Sequence, residues 1–254
     1  MSDQVSSVAV ITGGASGIGW KTAEMLLERR PDVACALVDL NEAQSAELIE
    51  RFGEGRVRFV QCDVTDPEAV NAAAAEIEMW RSPISMLVTC AGIQIVGDSF
   101  ELAVEHWRKV TGVHLNGTFY WCQAAGRAMR DGGGGSIVTV GSIAQDFGFP
   151  GRAAYTTSKA GIGGLTRVLA VEWAPAGIRV NQVIPGMVET PLFQRAAAQG
   201  IVDAQAAASE HALGRLGATG ELAEAIVFLL SDQASFITGE LVHVDGGFRA
   251  RRLD

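Results

Sequence analysis

Tyr155 and Lys159 stand four residues apart in the run Tyr155-Thr156-Thr157-Ser158-Lys159, and Ser142 lies thirteen residues before the tyrosine. On a helix, residues at this spacing share a face, separated by ~6 Å of rise. A free tyrosine titrates near about 10 and exchanges protons poorly at neutral pH. A lysine ammonium on the same face favours the phenolate. The pair is therefore expected to lower the Tyr155 pKa and make it a proton-transfer group. The chain has two tyrosines, and Tyr120 has no lysine four positions on. The spacing alone is weak, because a surface helix with a chance Tyr/Lys pair has the same pattern.

A second chemical feature is the turn Thr12-Gly13-Gly14-Ala15-Ser16-Gly17-Ile18-Gly19, which follows an apolar run at 8–11 and opens a helix-period segment. Glycines let the backbone turn tightly and approach a pyrophosphate. The helix N-terminus offers free N–H groups and a positive dipole end. In this strand–turn–helix setting the signal is strong. Asp39 ends the next apolar run, twenty residues after Gly19. A carboxylate there accepts hydrogen bonds from ribose hydroxyls and repels a 2′-phosphate. Leu40 follows in place of an arginine, so NAD is expected rather than NADP. An Asp that merely caps the next helix is the plainer alternative.

The elements that must hold these residues follow from periodicity. Apolar runs at 8–11, 33–38, 57–60, 84–88, 136–140, 178–184 and 241–244 read as strands. Helix-period segments read at 17–30, from Glu42, at 67–80, at 101–130, through Tyr155 to about 173, and at 221–231. Fully apolar strands alternating with helices predict a parallel sheet covered on both faces. The natural solution is an α/β, doubly wound Rossmann-type sheet of about seven strands. No linker or repeat interrupts residues 1–254, which read as one domain. The glycine run 132–135 opens no helix and reads as a connection. The Ala/Gln-rich stretch 190–215 breaks the alternation and suits a mobile cover over a cleft, or a plain surface helix.

The bulk properties narrow the partners. Hydrophobic residues make up 48% of the 254 and charged residues 19%, a globular composition. The net charge of −9 argues against nucleic acid or anionic membrane as a partner. The only basic cluster, Arg249, Arg251 and Arg252, reads as a solvated terminus. No signal peptide and no bilayer-length apolar run is recognised, which points to the cytoplasm. Cys35, Cys62, Cys90 and Cys122 lack C-x-x-C spacing and read as buried free thiols, with no metal site expected.

Taken in order, these motifs resemble the short-chain dehydrogenase/reductase family of the roughly 250-residue type. The likeness spans essentially the whole chain. It includes the T-G-x-x-x-G-x-G turn, Asp63-Val64, Ala91-Gly92, Ser142, Tyr155 and Lys159, the run Pro185-Gly186-Met187-Val188-Glu189-Thr190, and Val244-Asp245-Gly246-Gly247. The resemblance implies hydride transfer between a small secondary alcohol and nicotinamide. Tyr155 would be the acid/base, Ser142 would orient the substrate oxygen, and Lys159 would tune the tyrosine and bind the nicotinamide ribose. Asp63 and Val64 would hold adenine, and Val188 and Thr190 the carboxamide. The family also implies a homotetramer, with Ala223, Ile226, Val227, Leu229 and Leu230 as candidate apolar surface.

Two positions depart from the family pattern. Thr89-Cys90-Ala91-Gly92 stands where the family usually has Asn-Ala-Gly, so the hydrogen bonds of that asparagine must come from elsewhere. His114 in His114-Leu115-Asn116-Gly117 replaces a catalytic asparagine that holds a proton-relay water. It is either a relay member or a satisfied core histidine, and Asn116 should point elsewhere.

Gln94, Gln145, Arg152 and Met187 are the candidate substrate residues. Gln94, Gln145 and the basic residue at 152 are similar in placement to the carboxylate-holding groups of bacterial 3-hydroxybutyrate dehydrogenases, so a hydroxy acid or a polyol is expected. Asp146 would repel an anion if it pointed inward, and Arg152 could instead be a solvated first-turn arginine. The alternatives are a 3-oxoacyl thioester reductase, which Asp39 and the acidic charge disfavour, and a catalytically silent NAD-binding regulator.

Overall fold

In the computed structural model, which describes residues 5–42 and 44–251, the seven apolar runs form one parallel sheet. Its strands are β1 (Ser7–Thr12), β2 (Val33–Asp39), β3 (Val57–Gln61), β4 (Ile84–Thr89), β5 (Gly135–Val140), β6 (Ile178–Pro185) and β7 (Leu241–Val244). The order is β3-β2-β1-β4-β5-β6-β7. The chain winds outward from β1 in one direction and from β4 in the other. Ligands of such sheets bind at this switch, beyond the carboxyl ends of the strands. β1, β2 and β4 through β6 are mostly buried, so their side chains are largely apolar on both faces, and buried polar ones such as Ser136 and Asn181 bond to backbone carbonyls.

Helices cover both faces. They are α1 (Gly17–Arg29), α2 (Ser45–Phe52), α3 (Pro67–Trp80), α4 (Val104–Thr111), α5 (Gly117–Asp131), α6 (Ala153–Trp173), α7 (Pro191–Ala198), α8 (Ala204–Ser209) and α9 (Thr219–Leu230). One core gathers Val70, Ile77, Trp121, Met129 and Leu169 against the sheet; the other gathers Leu26, Leu48, Leu222 and Ile226 on the opposite face. Local signals start the helices: Asp66 caps α3 by accepting from the N–H groups of Glu68 and Ala69, with Pro67 at the first position.

Four expectations are corrected. The helix expected from Glu42 begins at Ser45; Ala43 lies outside the described residues. The run at 101–130 is not one regular helix. A π-helical turn at Gly112–Asn116 joins α4 to α5. Such a turn inserts a residue into the helical repeat; here His114 is buried and Asn116 exposed. Ala223, Ile226, Leu229 and Leu230 are buried within the chain, and Val227 is half-buried. They pack α9 onto the sheet rather than forming free surface. The tail is not simply solvated: Arg249 lies against Asp146 and Arg251 donates to the Ser209 carbonyl, while Arg252 lies outside the described residues. The four cysteines are free, three of them buried and Cys90 half-buried. No helix among the described residues is long and apolar enough to cross a membrane.

Candidate active site

A cavity of about 580 Å³ opens at the carboxyl ends of β1, β2, β4, β5 and β6. One end is the glycine turn. Gly13 has φ +64°, and a Cβ on it would lie 2.8 Å from the Ala91 nitrogen. Only glycine lets the turn pass this close to the end of β4. Ser16, Gly17, Ile18 and Gly19 line the cavity, and the Ser16 side chain caps none of the first N–H groups of α1. The first turn of α1 carries no acidic side chain. Uncapped N–H groups without a nearby carboxylate suit a pyrophosphate.

Asp39 and Asp63 stand at this same end of the cavity. Asp39 accepts from the Leu40 N–H at 2.8 Å and the Ala15 N–H at 3.4 Å. Asp63 is turned onto Thr65, accepting from its N–H and hydroxyl, and Val64 lies beside it. The set fits an adenosine with a free ribose 2′-hydroxyl.

Thr12 supplies the support that Cys90 cannot. The Cys90 N–H donates to the Thr12 carbonyl at 3.1 Å, and the Ala91 N–H donates to the Thr12 hydroxyl at 3.2 Å. One threonine thus ties the ends of β1 and β4 together and sets Ala91 and Gly92 in the wall. Nothing in its surroundings in the sequence marked it for this task.

The other end holds Ser142, Tyr155 and Lys159. Ser142 ends the β5 loop and accepts from the Ala144 N–H at 3.2 Å. Tyr155 and Lys159 project from α6 into the same space. The Lys159 ammonium makes no hydrogen bond to the tyrosine oxygen. It donates to the Val140 carbonyl at 2.7 Å and stands 5.7 Å from the Tyr155 ring centroid. Burial pushes its pKa down to about 8.

Tyr155 shifts opposite to the expectation. Burial raises its pKa, while a hydrogen bond with Ser142 and the Arg152 charge pull it down. Ser142 and Arg152 favour the phenolate in this geometry, and burial outweighs them.

His114 is buried at 2% exposure, edge-on to Tyr155 with ring centroids 5.0 Å apart. Its Nε2 lies 2.7 Å from the Ile93 carbonyl and 3.2 Å from the Ile93 nitrogen. The shorter contact assigns the proton to Nε2. Nδ1 then carries a buried lone pair with no partner among the described residues. Burial and the nearby Lys159 charge push the His114 pKa down to about 3, so the ring is neutral.

Of the expected substrate residues, Gln94, Arg152 and Met187 line the cavity. Gln145 does not. Its amide donates to Gln182 at 3.1 Å behind the wall, because the short turn after Ser142 aims it back at β6. Asp146 also points away, onto His243 at 2.6 Å. Arg152 lies over the Phe149 ring, 5.5 Å from its centroid. Pro185, Gly186, Val188 and Thr190 complete one wall. The 190–215 stretch forms α7 and α8, with Phe193 and Arg195 facing in. Arg195 was not singled out in the sequence; a lone arginine in an Ala/Gln-rich run carries no distinguishing pattern.

A family model described as enoyl-(acyl carrier protein) reductase matches residues 13–249. The chain is 41% identical over 245 residues to a cis-4-hydroxycyclohexanecarboxylate dehydrogenase of Sinomonas cyclohexanicum, covering 96% of each chain. It is 36% identical to an NAD-dependent glycerol dehydrogenase of Listeria innocua, covering 95% of this chain and 93% of that one. Among solved structures, a short-chain type dehydrogenase/reductase from Mycobacterium marinum superposes with a TM-score of 0.90 at 31% identity over 98% of both chains.

Proposed function

The chain belongs to the short-chain dehydrogenase/reductase family, and from that premise we propose that it is an NAD-dependent dehydrogenase of small secondary alcohols. The observation that carries this reading is the convergence of Ser142, Tyr155 and Lys159 on one cavity with the glycine turn and Asp39. The nicotinamide ring, when bound, supplies the hydride acceptor. Gly13, Ser16, Gly17, Ile18 and Gly19 cradle the pyrophosphate, Asp39 takes the ribose hydroxyls, and Asp63, Val64, Ala91 and Gly92 flank the adenosine. Pro185, Gly186, Val188 and Thr190 hold the carboxamide side, with Lys159 on the near ribose.

In the oxidative direction the phenolate form of Tyr155, which burial makes the minor form at neutral pH, accepts the proton of the substrate hydroxyl as the carbon gives up hydride. The carbinol C–H and O–H bonds break and a C=O bond forms. Ser142 hydrogen-bonds the reacting oxygen and the phenolate, lowering the barrier to proton transfer. Lys159, with a pKa of about 8, is protonated at neutral pH and keeps a positive charge beside the tyrosine. His114 is a relay member of a limited kind. A neutral ring with Nε2–H committed to Ile93 can only accept at Nδ1. It holds a water rather than shuttling a proton itself.

The substrate is a hydroxy acid or polyol. Arg152 favours the acid, since a guanidinium over Phe149 presents a fork to a carboxylate; Gln94 and Met187 complete that wall. Two relatives, named for a hydroxycyclohexanecarboxylate and for glycerol, lie on either side of this choice. The protein acts as a homotetramer in the cytoplasm, and the half-exposed Trp107, Phe119 and Phe228 supply apolar surface on α4, α5 and α9.

The test is cofactor reduction with NAD and NADP side by side against glycerol, cyclohexanol, 4-hydroxycyclohexanecarboxylate and 3-hydroxybutyrate, with light scattering for the assembly. Turnover of a hydroxy acid whose KM rises in Arg152→Gln supports the carboxylate grip. Cofactor binding without turnover of any secondary alcohol contradicts the enzyme.

A further inference from the structure

His211 follows α8 in the cover and is buried at 3% exposure. Its ring touches α8, the Gly186–Met187 wall of the cavity and Phe248. The Met187 N–H donates to Nε2 at 3.1 Å, and Nδ1 lies 2.9 Å from the Ala207 carbonyl of α8. A single tautomer satisfies both contacts: a lone pair on Nε2 and a proton on Nδ1. Its edge meets Phe248, 5.5 Å between centroids, and Phe248 in turn packs on Phe149 at 6.3 Å. The ring is wedged so close to Gly186 that a Cβ there would lie 2.7 Å from Nε2.

This is the opposite of His114, whose Nδ1 is left unpaired. A buried imidazole with one nitrogen bonded to its own helical segment and the other to the backbone of a facing loop is a clamp. The segment belongs to the cover. The loop, at Gly186 and Met187, is a wall of the reaction cavity. This loop is further braced by Gly217, whose N–H donates to the Met187 carbonyl at 2.9 Å. The Ala207 contact lies four residues back in the same segment, so displacing α8 carries His211 with it, and Met187 then loses the acceptor for its N–H.

We infer that His211 is a positioning residue: it couples the cover to the Met187 wall, so that the pose of the substrate depends on the cover being docked. The inference rests on the dehydrogenase reading only for its kinetic consequence.

The experiment compares His211→Leu and His211→Gln with the parent chain by steady-state kinetics and by amide hydrogen exchange of the free protein. Leucine removes both polar contacts. Glutamine keeps an acceptor within reach of Met187 but no donor at the Nδ1 place. A buried N–H left without an acceptor costs enough to shift the docking equilibrium about tenfold. His211→Leu is expected to raise KM for the alcohol about tenfold with kcat within about threefold. Exchange in both variants is expected to quicken about fivefold over residues 191–210 and to stay unchanged over β2, residues 33–39. Parental exchange over 191–210 in both variants overturns the clamp, as does equal quickening over β2, which marks general destabilisation. A parental KM in His211→Leu overturns the coupling. The exchange readout needs neither cofactor nor turnover, so failure of the dehydrogenase reading leaves it standing.

Discussion

The Lys159 ammonium is bonded to the Val140 carbonyl at 2.7 Å, at the end of β5, and not to the hydroxyl of Tyr155 one helical turn away. The bond fixes where the charge sits, and burial lowers the lysine pKa to about 8 from 10.5. Between those two values the unfolded chain binds more protons than the folded one, so stability rises with pH across that window. Below about pH 8 the buried charge is a standing cost. Lys159→Met is therefore expected to stabilise the fold at pH 7 by roughly 2–3 kcal/mol while removing turnover. Urea unfolding at pH 7 checks the sign; a less stable variant speaks against a costly buried ammonium.

His114 titrates in the acid range. Its folded pKa, about 3, lies below the unfolded 6.5. The stability it contributes is fully present above about 6.5 and is lost as pH falls toward 3. On moving from pH 7 to pH 5 the wild type should lose about 2 kcal/mol that His114→Asn does not lose. Parallel stability–pH curves for the two proteins would refute the assignment of a neutral buried ring.

Thr12→Val keeps the shape of the side chain and removes the acceptor for the Ala91 N–H. Leaving that group unpaired should cost about 1–3 kcal/mol of stability. It should also weaken NADH binding, because Ala91 and Gly92 line the cavity proposed to hold the cofactor. Fluorescence titration of NADH and thermal unfolding of the variant measure the two effects.

Asp39 and Leu40 stand together at the ribose end, and Leu40 is 53% exposed there. The wild type should favour NAD over NADP by more than about a hundredfold in kcat/KM, the scale of a several-kcal/mol like-charge penalty. The double change Asp39→Ser with Leu40→Arg should reverse the preference. Initial rates with both cofactors decide the matter, and an unaltered ratio argues that the 2′ position is read elsewhere.

Much of this was legible in the sequence for physical reasons. Strands covered on both faces are largely apolar, so the apolar runs located all seven, the less buried β3 and β7 included. The glycine turn and Ser142, Tyr155 and Lys159 have spacings fixed by the strand-to-helix geometry that holds them. What stayed hidden depends on side-chain direction across loops. Gln145 sits three residues after Ser142, yet its turn aims it at Gln182. The direction of the lysine ammonium and the net rise of the Tyr155 pKa depend on a carbonyl and on burial, which helix spacing does not encode. Thr12 and His211 act through backbone partners distant in sequence. The apolar positions of α9 expected as interface surface are core instead, because they pack on the sheet.

The account rests on Tyr155 as the group that exchanges the proton. Tyr155→Phe keeps the ring against His114 and removes only the hydroxyl. NADH fluorescence titration paired with turnover of the best secondary alcohol tests it. The account predicts a dissociation constant within about threefold of wild type and a loss of kcat of about a thousandfold or more. Retention of more than about a tenth of wild-type kcat, with NADH binding intact, would contradict it.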